Sequence, residues 1–164
     1  MRSTNYPTTC YNIATDPEGA SLPRLKFITD DKLHRALELI VEELGLNHIR
    51  LDKVYIVWSK GSKTTALARI WGLPSPFVRL GICDPTYVIE LVSEKFARLS
   101  CNDIVETIVH ELLHIPRSFS GGLRQHGDWS KKRNMRKLLS RISNETKYEV
   151  CRLVRESLRS PNLG

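Results

Sequence analysis

Residues 100–116 read SCNDIVETIVHELLHIP, and this stretch decides what the rest of the chain is built around. Val105, Ile108, Val109, Leu112 and Leu113 recur at helical spacing and form one apolar face. Ser100 followed by Asp103 is a capping-box pattern at the start of that run. Pro116 closes it, because a proline disfavours helical geometry at the residue before it. The pattern predicts a helix from about Asn102 to about Ile115. Residues 110–114 within it are His-Glu-Leu-Leu-His. Histidines four apart lie one above the other on a helix, so His110 and His114 can share one metal ion. Glu111 is turned about 100° from His110, beside the metal rather than on it, where a carboxylate can take a proton from an activated water.

A catalytic zinc takes three protein ligands and keeps one position open. The compact H-E-x-x-H-x-x-G-x-x-H arrangement is excluded, because Arg117 and Ser120 stand where it needs glycine and histidine. The first downstream histidine is His126, reached through a segment with Ser118, Ser120, Gly121 and Gly122 whose turn chemistry lets the chain bend back. The competing third ligand is a glutamate on a later helix, Glu145 or Glu149. His34 reads as a helix-surface residue and His48 as a turn residue. The expectation is one zinc ion per chain on His110, His114 and His126, with Glu145 or Glu149 as the alternative third ligand and Glu111 as general base.

His126-Gly127 followed by Trp129 gives H-G-x-W after H-E-x-x-H, and in this the chain resembles SprT-like zinc metallopeptidases. The stretch HELLHIPRSFSGGLRQHG is also similar to metallopeptidase sequences of archaea and their viruses. The resemblance spans roughly residues 30–133, with its specific part in His110, Glu111, His114, His126, Gly127 and Trp129. It implies a zincin-like fold and peptide-bond hydrolysis by metal-activated water. It also implies that a strand beside the metal helix, here 87–93, presents its edge to an extended substrate. SprT-like proteases of this kind degrade proteins crosslinked to DNA. Many of them carry a second, cysteine-rich zinc module, and this chain has no C-x-x-C.

The flanking segments predict an α+β fold. Asp30 and Asp31 open a helix with Leu33, Leu37, Ile40, Val41 and Leu44 on its apolar face, and Gly45 ends it. Strand signals follow at 53–59, 66–73 and 87–93. The gaps between them are too short for crossover helices, which predicts a mostly antiparallel sheet of about three strands packed against the metal helix. Two further helices are expected over about 128–141 and 144–159. Residues 1–24 read as an irregular segment and 25–164 as a single domain.

Composition bounds the rest. Of 164 residues 41% are hydrophobic, enough for a core, and no apolar stretch approaches the ~18 residues a membrane span needs. The N-terminus has no secretory pattern, so the expected location is the cytoplasm. There Cys10, Cys83, Cys101 and Cys151 would be free thiols, unless the source is a hyperthermophile. Charge is uneven. Residues 117–164 hold twelve Lys/Arg against four Asp/Glu, a net of +8, while residues 1–116 net −1. Arg133, Lys137 and Arg141 are spaced to form one helical stripe, with Lys131 and Lys132 nearby. Such a stripe predicts weak, sequence-independent contact with DNA or RNA. Two functions follow: a zinc-dependent peptidase acting on protein or peptide, including DNA-associated proteins, or a non-catalytic DNA-binding or regulatory protein with a structural metal. Glu111 favours the first, since a structural site does not need it.

Overall fold

The apolar stripes read from the sequence become helices whose faces meet one side of a sheet. In the computed structural model, which describes residues 25–163, the strands are β1 (Lys26–Ile28), β2 (Val54–Lys60), β3 (Ala68–Trp71) and β4 (Tyr87–Val92). The helices are α1 (Asp31–Leu44), α2 (Ser75–Arg79), α3 (Ser93–Phe96), α4 (Cys101–Leu113), α5 (Lys132–Leu139) and α6 (Asn144–Leu158). The segment 1–24, expected to be irregular, lies outside the described residues.

Local chemistry sets the helix ends. The Asp30 carboxylate accepts from the Leu33 amide at 2.9 Å, and Gly45 closes α1 at φ 64°, a left-handed cap that glycine adopts without steric cost. Ser100 caps α4 by accepting from the Asp103 amide at 3.1 Å. Ser143 does the same for α6 through Thr146 at 3.2 Å.

The sheet order is β1-β2-β4-β3. Here the sequence expectation needs correction. Among the described residues there are four strands rather than three, and although β1–β2 and β3–β4 are antiparallel, the long central pair β2–β4 runs parallel from Val54↔Tyr87 to Ser59↔Val92. A parallel pair needs a return path, and β3 supplies it in place of a crossover helix. The chain leaves β2, skips one strand position, returns as β3 on the far edge, and β4 then fills the gap. Strand 87–93, expected at the edge, is therefore interior, and β1 and β3 are the edges.

α1, α4 and α6 pack together on one face of the sheet, over Val54, Ile56 and Trp58 of β2 and Tyr87, Ile89 and Leu91 of β4. Fully buried Trp58 donates from Nε1 to the Ser157 hydroxyl at 2.7 Å, tying the sheet to α6. A disulfide joins Cys101 at the start of α4 to Cys151 of α6. The expectation of free thiols fails for these two, and no cysteine among the described residues is free. Cys10 lies outside them. Cys101 and Cys151 are fifty residues apart in sequence, and helix packing brings their Cα atoms to 5.2 Å, within bridging range. No helix among the described residues is long and apolar enough to cross a membrane.

Candidate metal centre

α4 stops at Leu113, so His110 lies in its last turn and His114 is the cap residue just beyond it. The chain then turns sharply. Phe119 sits at φ 46° and Gly121 at φ 92°. A Cβ on Gly72, just after β3, would stand 2.1 Å from the Gly121 carbonyl oxygen, so only glycine lets the two backbones approach this closely. The Tyr87 hydroxyl pins the turn: it accepts from the Gly121 amide at 2.8 Å and donates to the Gly122 carbonyl at 3.0 Å. The Arg124 amide then donates to the His114 carbonyl at 2.7 Å, which returns the chain to the end of α4 and delivers His126.

The result is a group of three histidines. One ring nitrogen each of His110, His114 and His126 lies within 4.8 Å of the others, and Nε2 of His110 is 3.0 Å from Nε2 of His126. Metal–nitrogen bonds of about 2.0–2.1 Å in a tetrahedral site put ligand nitrogens about 3.3 Å apart, close to the His110–His126 separation, so three imidazoles drawn together at this spacing suit a zinc-like ion. Nδ1 of His114 is 2.7 Å from the Arg124 carbonyl. A carbonyl only accepts, so Nδ1 carries the proton and Nε2 keeps its lone pair for a metal. Burial lowers the pKa values of His110 and His114, and neighbouring positive charge (chiefly the other histidines) lowers them further; the His114–Arg124 bond opposes this in part. Neutral imidazole is the ligating form.

Glu145 and Glu149, the alternative third ligands, are not in this group. Glu149 is held instead by Arg152 at 2.6 Å on the exposed side of α6. His34 pairs with Glu38 at 3.3 Å on α1, and His48 lies in the turn after α1.

Glu111 is 9% exposed, and its carboxylate has no hydrogen-bond or ion-pair partner among the described residues. Burial alone pushes its pKa up to about 7. Trp129 was legible only as part of the H-G-x-W string, yet its ring centroid lies 4.9 Å from that of His114 and 5.4 Å from that of His110. It donates from Nε1 to the Gln125 carbonyl at 3.0 Å and carries the Arg124 guanidinium over its face at 5.3 Å. Tyr87 and Arg124 gave no sequence signal, because their contacts depend on how the turn closes.

The basic residues are only partly brought together. α5 spans Lys132–Leu139, and residues 128–130 form a separate 3-10 turn, so the expected helix over 128–141 is shorter. Arg141 lies past the end of α5 and donates to the Leu44 carbonyl at 3.3 Å, off the expected stripe. Lys131 pairs with Asp128 at 2.5 Å. Lys132, Arg133 and Lys137 are exposed without such partners.

The family model described as "Putative phage metallopeptidase" matches residues 25–156. The chain belongs to that family. No curated protein and no solved structure matches it.

Proposed function

We propose that this phage-type metallopeptidase holds one zinc ion on His110, His114 and His126 and hydrolyses peptide bonds. The observation that carries this is a buried, unpartnered carboxylate, Glu111, beside three convergent imidazoles. Zinc, when bound, polarises a carbonyl and lowers the pKa of water towards ~7. Glu111 takes the proton of the attacking water and gives it to the leaving amine; with no partner fixing its charge, it is poised for both transfers. Trp129 and the His114–Arg124 bond orient the imidazoles. A structural zinc would be closed by four ligands and would not require Glu111, which argues against the non-catalytic alternative. The zincin-like assignment is supported by α4 running beside the edge strand β3.

The test is elemental analysis with a cleavage assay on an unfolded protein substrate. Wild type should carry one zinc and lose cleavage on chelation. His126→Ala should lose zinc affinity by tenfold or more, on the order seen when a site's geometry is broken. Unchanged affinity in that variant would remove His126 from the site.

We also propose weak, sequence-independent nucleic-acid contact through Lys132, Arg133 and Lys137, which would bring the peptidase to DNA-associated proteins. The +8 balance of residues 117–164 supports it. Gel shifts at low and moderate salt test this: binding should fall steeply with salt, and no shift at tens of micromolar protein would end it. The cytoplasmic location suggested by the sequence accords with the Cys101–Cys151 bridge if the host is a hyperthermophile, whose interior tolerates disulfides. Mass spectrometry of the protein from its native host, with and without reduction, tests this; free thiols there would rule the bridge out in vivo.

A further inference from the structure

A cavity of about 560 Å³ opens from the metal centre between β3 and α4. His110 and Glu111 are among its lining residues. Leu67, Ala68 and Leu99 line it as well, and Asp103, Glu106 and Thr107 continue along the α4 face from His110. Residues 103, 106, 107, 110 and 111 follow the helical repeat, so one face of α4 forms the floor of the cavity.

We propose that this cavity is the side-chain pocket of the metal centre and takes a lysine or arginine of a peptide substrate, with Glu106 as its counter-ion; this rests on the peptidase reading above. The first argument is position. Glu111 lines the cavity, is nine-tenths buried and is unpartnered, so a substrate group reaching it enters here. Length is the second. Glu106 lies four positions before His110 on the helix, a rise of about 6 Å. An extended lysine places its ammonium about 6 Å from its Cα by ordinary bond lengths. Asp103 lies about 10 Å from His110 along the axis, beyond direct reach. It is also engaged, accepting from the Ser100 hydroxyl at 2.6 Å. The side chain of Glu106 has no hydrogen bond or ion pair among the described residues.

Charge is the third argument. Within this cavity the one cation beside Asp103 and Glu106 is Lys132, which is exposed and pairs with neither; Arg136 and Lys147 border Glu106 in an adjoining cavity and form no ion pair with it. A basic side chain would run its methylenes along Leu67 and Leu99 and meet Glu106 with its charge. An apolar one would leave Glu106 unmatched, and an acidic one would meet like charge.

The experiment uses the zinc-loaded full chain and three short peptide hydroxamates that differ only in carrying Lys, Leu or Asp beside the zinc-binding group. Calorimetry reads affinity without turnover. Wild type should bind the Lys compound about fivefold tighter than the Leu compound, the upper range for an ion pair to an exposed carboxylate such as Glu106, and the Asp compound most weakly. Glu106→Gln should bring Lys and Leu together, and Glu106→Lys should put Asp ahead of Lys. Equal wild-type affinities, or an order unchanged in Glu106→Lys, overturns the pocket. Peptide cleavage, followed on the matching substrates, separates the two readings. Graded binding with no cleavage supports the pocket and overturns the peptidase; cleavage blind to the side chain overturns the pocket.

Discussion

Two glutamates lie almost out of reach of solvent in this molecule, and they differ in every other respect. Glu90, in the middle of β4, has a fully buried side chain. Its register partner Arg69 donates from Nε at 3.1 Å and from Nη2 at 2.7 Å, and Trp71 adds a third bond from Nε1 at 2.9 Å. Burial pushes the Glu90 pKa up, but these donors more than offset it and hold the carboxyl below its ordinary value. Glu111 has burial without donors, and its pKa rises to about 7. The sheet carboxylate is fixed in one charge state and belongs to the architecture. The helix carboxylate can change charge state, which an acid–base group needs.

The largest effect should come from Glu111→Gln. Amide replaces carboxylate at nearly constant shape, so zinc content should be retained while peptide hydrolysis drops by roughly 10²–10⁴, the usual range for a general base. A variant as fast as wild type would erase the functional half of the contrast.

With the metal removed by chelation, the two acids should have opposite pH signatures. Glu111 has a folded-state pKa above its unfolded value, so it costs stability as pH rises from about 4.5 towards 7, by about 3 kcal/mol at the upper end. Glu111→Gln should remove that cost. The difference between variant and wild type separates it from His110 and His114, whose lowered pKa values act in the other direction. Glu90 is depressed, so its stabilisation is complete above the ordinary carboxylate range and is lost as pH falls through its lower folded-state value. Urea titrations from pH 3 to 8 read both; a Glu111→Gln difference that is flat with pH would contradict the desolvated carboxyl.

At neutral pH, Glu90→Gln should cost about 2–3 kcal/mol, less than a fully buried pair because Arg69 is partly exposed. The corresponding chelated Glu111→Gln should be neutral or stabilising. Comparable losses at both sites would mean that Glu111 is also structural.

What was readable in the sequence was local. The α4 helix, its Ser100 cap and the His110–Glu111–His114 face follow from periodicity, because residues three and four apart share a helix face wherever that helix sits. Asp30 and Gly45 bound α1 for the same kind of reason. Residue order along the chain also brought out His126, since only a glycine-containing turn separates it from His114.

Only the tertiary structure decided what depends on elements distant in sequence. It made β4 an interior strand and β3 an edge, because strand order is set by which gap the returning chain fills, and no pattern within a strand records that. It paired Cys101 with Cys151 and set Tyr87 under the turn that carries His126. It also separated Glu90 from Glu111. In sequence both are single acids in apolar surroundings; their opposite chemistry depends on whether another strand brings donors to the carboxylate, and β3 brings them to Glu90 alone.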